Sequence, residues 1–266
     1  MKKIAKANEL MWLFGLIFVS LGVAICSKTN LGVSMIAAPT FIVQEFVSKF
    51  WPSLTVGVTE YLFQGLTLII MCVAVQRFNW KYLLAFLVAV LYGYMLDLWI
   101  LIIGSDPFEE IYLRWIMLFV GDVSVAFGVA CFFRTYMPLE VPELVVAEVA
   151  DRYKLNINKT KYFIDGLYLV TSIVLSLVLF LDVDKFDWST IYKSSFHSLG
   201  LGTIVTTIIN APIITLCGKL LDKIFTFEPL IPKLEKVLKR SSKSENENAA
   251  SEENKSVWKM QKARTV

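Results

Sequence analysis

Histidine is nearly missing from this chain: its 266 residues hold one, His197. A pair of histidines at metal-ligand spacing is thereby excluded, and with it the commonest zinc-hydrolase frames. The four cysteines, Cys26, Cys72, Cys131 and Cys217, are scattered inside apolar stretches without paired spacing, which argues against both a zinc site and a disulfide framework. They read as small packing residues. No serine stands in a Gly-x-Ser-x-Gly frame, and no phosphate-binding glycine-rich loop occurs. Residues 200–203, GLGT, are too short for such a loop and read as a helix entry where small residues allow close approach. We therefore expect neither an enzyme nor a bound cofactor. Charge is scarce as well. Only 18% of the residues are charged, and the net charge of +3 has its basic weight at helix ends and in the C-terminal tail, so nucleic acid is not an expected partner.

Apolar sequence, in contrast, is abundant. Hydrophobic residues make up 56% of the chain, above the roughly 45–50% of a soluble domain, and mean hydropathy is +0.60. Six runs, near 10–26, 56–76, 82–103, 115–133, 162–181 and 196–217, reach the roughly 17–25 residues that cross a hydrocarbon core. The expected fold class is an all-α, polytopic membrane protein with the lipid bilayer as its solvent. The first 26 residues have the basic and apolar regions of a signal peptide but no convincing small-x-small cleavage site, so they read as a retained first span.

The first span has a copy. VSLGVAICSKT (Val19 to Thr29) aligns with VAFGVACFFRT (Val125 to Thr135) at an offset of 106, pairing Gly22 with Gly128 and Lys28 with Arg134. LFQGLTLI (Leu62 to Ile69) aligns with FIDGLYLV (Phe163 to Val170) at an offset of 101, pairing Gly65 with Gly166 and Gln64 with Asp165. The third spans align poorly. Three spans per half place the second half's entry on the opposite face of the membrane, so the two repeats, 10–103 and 115–217, are expected to be inverted.

Basic residues support that topology. With the N-terminus inside, ten Lys and Arg fall in inner segments ahead of the tail and five in outer ones, the bias expected of cytoplasmic connections. Both termini are then cytoplasmic in a multi-pass cell-membrane protein. The sequon Asn158–Thr160 falls on the inner side and carries no meaning as a glycosylation site. The organisation is a short N-terminus (1–9), a transmembrane domain (10–220) and a cytoplasmic tail (221–266). In the tail, residues 219–240 have the pattern of an amphipathic stretch, and the remainder is polar and poor in bulky apolar residues.

Each half also carries a segment too long for a turn and too short or polar for a crossing, at 30–51 and 136–155. In the second, Glu140, Glu143, Glu148 and Asp151 share one broad helical face and Val141, Val145, Val146 and Val149 the other. Pro142 suits a first turn, and Glu140 and Glu143 suit the positive end of a helix dipole. Two arrangements stay open: interfacial helices with solvated acids, or re-entrant half-helices whose N-termini build a central site.

Ionisable residues within spans are costly and face a bundle interior, a partner or a water-filled path. Asp97 and Asp122 lie inside the third and fourth spans, Asp165 and Glu60 near the starts of the fifth and second. No Lys or Arg is expected deep in any span, so a bound cation, a proton or a hydrogen-bonded neutral form must balance them. Asp97, Asp122, Glu140, Glu143, Asp165, Gln64 and Asn210 are the candidate contacts for substrate or ion, and no metal site is expected. Asn210, followed by Ala211-Pro212, also reads as a helix-packing or kink position; His197 reads as an interfacial residue.

The Gly-Val-Ala close of the first span, KTNLGVS at 28–34, PLEVPELVVAEVADRYKLNINKTKYFIDG at 138–166 and LGLGTIVTTIINAPI at 199–213 together resemble the YczE/YyaS/YitT group of bacterial integral membrane proteins. The likeness covers residues 10–220, with Lys159, Thr160, Asp165, Gly202 and Thr203 the most telling. Ala211-Pro212 and Val141-Pro142 depart from the group's usual order. The resemblance implies a polytopic membrane fold and a transporter-like role without naming a substrate. The leading expectation is a secondary transporter of a small solute, alternating access between inverted repeats. The alternative is a non-transporting membrane accessory or regulatory protein.

Overall fold

Six apolar runs become six long helices, each with the length and composition to cross a membrane. The computed structural model describes residues 3–6, 8–104, 108–180, 198–228 and 231. In chain order these form β1 (Lys3–Lys6), α1 (Asn8–Lys28), α2 (Ala38–Val47), α3 (Val56–Val75), α4 (Lys81–Ile103), α5 (Ile111–Phe132), α6 (Val141–Arg152), α7 (Ile157–Phe180), α8 (Leu201–Ile224) and β2 (Phe225–Glu228). The expected spans are α1, α3, α4, α5, α7 and α8, and the two intervening segments contain the short helices α2 and α6.

Local chemistry sets several of the ends. The Thr55 side chain accepts the Val58 N–H at the start of α3, and Gln76 ends it in the left-handed conformation. Pro39 and Pro142 stand in the first turns of α2 and α6, where a missing N–H breaks no helical bond. Pro212 lies inside α8, where it removes one main-chain hydrogen bond.

Two span boundaries differ from expectation. α7 begins at Ile157, five residues ahead of the expected span, because Asn156 accepts the Asn158 N–H with its side chain and starts a helix within the polar segment. α8 runs on to Ile224, beyond the expected end of the sixth span at 217. Residues 225–228 then pair as a parallel strand with 3–6, Lys3 opposite Phe225 and Lys6 opposite Glu228. The all-helical bundle thus carries one short two-stranded ribbon, which joins the two ends of the described chain on one side. His197 and the tail from 232 onward lie outside the described residues, as do the acidic positions 182, 184 and 187.

The principal contact is α1 against α5. Gly15 meets the Gly128 backbone and Gly22 meets Gly121, so the helices run antiparallel with main chains in close approach. At the 106-residue offset, Gly15 is equivalent to Gly121 and Gly22 to Gly128, which makes the two contacts reciprocal. That reciprocity is compatible with inverted repeats. Other pairings follow the same exchange: α1 packs on α4 as α5 packs on α8, and α2 packs on α3 and α7 as α6 packs on α7 and α3. One pairing breaks it. α3 lies along α4, with Gly57 against Gly93 and Gly65 against Phe86, whereas α7 and α8 barely touch.

The core gathers Leu16, Val19 and Val23 of α1, Ala38 and Phe41 of α2, Tyr92 and Leu96 of α4, and Val129 and Phe132 of α5. The outward faces remain apolar: Leu62, Leu66, Ile69 and Val73 of α3 are more than half exposed. An unbroken apolar surface of this kind fits a hydrocarbon surround.

Candidate functional site

A cavity of about 50 Å³ lies where α1, α5 and the N-terminal ends of α2 and α6 meet α3, α4, α7 and α8, room for a few waters at about 10–15 Å³ each. Its lining includes Val19, Val23, Val125 and Val129 together with Glu60, Asp122, Glu140, Glu143, Asp165, Lys161 and Asn210.

The short helices bring two of these acids in. Glu140, the residue preceding α6, is 3% exposed and Glu143, in its first turn, 4%. At the far end of the same helix Asp151 is exposed. α2 has the same polarity, with Ala38, Pro39 and Thr40 buried at its start and Phe50 and Trp51 exposed just beyond its end. Both helices therefore dip N-terminus first into the bundle. The solvated-acid arrangement holds for Asp151 and fails for Glu140 and Glu143, because the valine face and the first-turn acids are buried together.

Hydrogen bonds and one ion pair tie the acids around the cavity into three groups. Gln64 Nε2 donates to Glu60 Oε1 at 3.2 Å and to Glu140 Oε1 at 3.0 Å, bridging α3 to the start of α6. The Thr40 hydroxyl in α2 donates to Glu60 Oε2. Asn210 Nδ2 donates to Asp122 Oδ1 at 2.8 Å, joining α8 to α5. Lys161 Nζ stands 3.6 Å from Asp165 Oδ2, one turn along α7, with both side chains 8% exposed. Burial, then the adjacent Glu143, hold the Glu140 carboxyl well above the usual carboxylate range. Burial raises Glu143 too, against the pull of Lys161. Neither residue belongs to the six membrane-length helices.

Six of the seven residues singled out from sequence gather here: Asp122, Glu140, Glu143, Asp165 and Asn210 line the cavity, and Gln64 braces Glu60 and Glu140 beside it. Asp97 does not. It lies on α4, where its Oδ1 accepts the Gly57 N–H at 2.8 Å and so satisfies a free donor in the first turn of α3. Lys161 is the correction of most consequence. We expected it in a polar inner connection, with no cation among the buried acids; the earlier start of α7 makes it a buried member of the helix, 6% exposed. A signal was present in the repeat. At the 101-residue offset Glu60 and Gln64 fall on Lys161 and Asp165, two i,i+4 pairs at matching positions.

The model of a family of unknown function, DUF6198, matches residues 6–219. The chain belongs to that family. Every residue of the three groups falls within the matched stretch. No curated protein and no solved structure matches the chain.

Proposed function

We propose that this member of DUF6198 is a secondary transporter of a small solute in a bacterial cell membrane, with both termini cytoplasmic, alternating access between two inverted three-span repeats. The observation that carries the reading is the buried cavity between the halves, ringed by ionisable side chains and entered by the N-termini of two short helices at matching positions. Membrane proteins bury such groups at a cost, and inverted-repeat transporters set their sites at the repeat interface beside broken helices. The resemblance to the YczE/YyaS/YitT group points the same way.

The departure from symmetry supplies the second element. α3 and α4 are closed on one another, while between α7 and α8 there is a cleft of about 440 Å³ lined by Asn158, Tyr162, Pro212 and Lys219 among others. Tyr162 and Ala211 in that cleft are the chain neighbours of Lys161 and Asn210 in the central cavity. We read this as the inward-facing state, the cleft leading from the side of Asn158; the outward-facing state would exchange the two pairings, closing α7 on α8 and parting α3 from α4.

Purified protein in proteoliposomes, assayed for uptake over a broad metabolite panel, tests the reading. Flux of at least one solute, lost in a Glu140→Gln/Asp165→Asn variant that still melts cooperatively, is the expected result. No flux of any solute by well-folded protein would sink it and favour the accessory role.

A further inference from the structure

We propose that the central cavity binds a small organic cation bearing several N–H donors, of the ammonium or guanidinium class. The proposal deepens the transport reading above and rests on the same cavity. It is carried by an imbalance between donors and acceptors. Asp122 Oδ2, Glu143 Oε2, Asp165 Oδ1 and Gln64 Oε1 are buried without a hydrogen-bond partner, and the residues that bear them are between 1% and 5% exposed. All four are acceptors. The donors around them leave these atoms unserved: Gln64 Nε2 goes to two glutamates, the Thr40 hydroxyl to Glu60 and Asn210 Nδ2 to Asp122 Oδ1, while Lys161, with N–H groups to spare, stands 3.6 Å from Asp165 Oδ2 and reaches neither Asp165 Oδ1 nor Glu143 Oε2. A ligand that completes this site must therefore donate, and from more than one direction.

Charge decides its sign. Five carboxyl groups and one ammonium group line the cavity; burial disfavours the ionised form of Glu140 and Glu143, and a cation beside them restores it whereas an anion opposes it. Helix N-termini favour anions, but at α6 that place is already taken by carboxyl groups, Glu140 preceding the helix and Glu143 in its first turn. A bare metal ion fits poorly, since among the described residues no three acidic, histidine or cysteine side chains are grouped closely enough to hold one. Acceptors spread among Val19, Val23, Val125 and Val129 suit a ligand whose donors diverge from a small carbon-bearing frame.

Isothermal titration of protein in nanodiscs tests the proposal with methylammonium and guanidinium as ligands, and tetramethylammonium, sodium, urea and acetate as comparisons at constant ionic strength. Saturable binding of methylammonium or guanidinium is expected, with none of the comparisons binding as tightly. In Glu143→Gln and Asp165→Asn, each shown folded by its melting transition, affinity should fall by about tenfold or more, the loss of one charge-assisted hydrogen bond. Absence of binding by both N–H cations, tighter binding of any comparison ligand, or affinity unchanged in both variants would overturn it. The transport reading fails separately. Binding without flux removes transport and leaves the site; flux of an anionic or neutral solute without cation binding removes the site and leaves transport.

Discussion

Replacing Gly22 by alanine places a methyl group inside the α1–α5 contact. Its Cβ would stand 2.5 Å from the Gly121 carbonyl oxygen, 2.7 Å from Val125 Cγ2 and 2.8 Å from Val125 N, against 3.4–4 Å for ordinary contact. Two of the three are main-chain atoms, which cannot rotate away, so the helices have to part by about 1 Å along the largest interface of the bundle. Overpacking of this kind costs about 1–3 kcal/mol, offset by the roughly 0.5–1 kcal/mol that alanine gains over glycine in a helix. A net loss near 1–2 kcal/mol lowers Tm by roughly 2–8 °C at this chain length. Gly128, its equivalent at the 106-residue offset, meets the matching set: Gly15 O at 2.6 Å, Val19 Cγ2 at 2.6 Å and Val19 N at 2.9 Å. Gly128→Ala should therefore melt within about 2 °C of Gly22→Ala, a difference of about 0.5 kcal/mol. Gly166 on α7 has nothing within 4 Å of an added Cβ, and Gly166→Ala should melt at or above the parent. The assay is tryptophan fluorescence during heating in detergent. A Gly22→Ala protein as stable as the parent would refute the packing argument, and unequal losses at Gly22 and Gly128 would refute the symmetry.

Three further outcomes follow from particular contacts. Asp97→Ala should lower stability by about 1–2 kcal/mol, the worth of a carboxylate serving free N–H groups at a helix start, with solute flux per folded molecule unchanged; a selective loss of flux would return Asp97 to the site. Glu140 titrates above its ordinary 4.5 in the folded protein, so above that pH the folded state holds more protons than the unfolded one, and this group's contribution to stability falls as pH rises. Glu140→Gln, facing Glu60, Gln64 and Glu143, should flatten the decline in Tm measured between pH 5 and 8, roughly the span above the free carboxylate value; an unchanged slope would contradict the assignment. Asp222→Asn breaks the 2.6 Å pair with Arg134, but Asp222 is more than half exposed and Arg134 keeps its bond to the Ala130 carbonyl. Tm should move by no more than about 1 kcal/mol would produce.

The spans were legible because length and hydropathy are local properties tested against a bilayer of known thickness. α3 and α4 fall within one residue of the expected ranges, since Thr55 and Gln76 punctuate the chain there. The start of α7 was hidden because Asn156, Asn158, Lys159 and Lys161 look like a polar connection until Lys161 is seen to fold back under Asp165. The same limit applied to Asp97, which has the isolated, mid-span position of a functional acid. Its use as a partner for Gly57 depends on how closely α3 and α4 approach, and no pattern within α4 records that.

Length and composition locate the six membrane-length helices of the described residues and the two intervening segments that hold the short ones, for each follows from neighbours a few residues apart. The company each ionisable group keeps belongs to packing. Glu140 meets Gln64 across 76 residues and Asn210 meets Asp122 across 88, and such meetings depend on how far each helix is rotated and how deep its N-terminus enters. Burial of the first turns of α2 and α6 brought a set of isolated charges in an apolar sequence around one cavity.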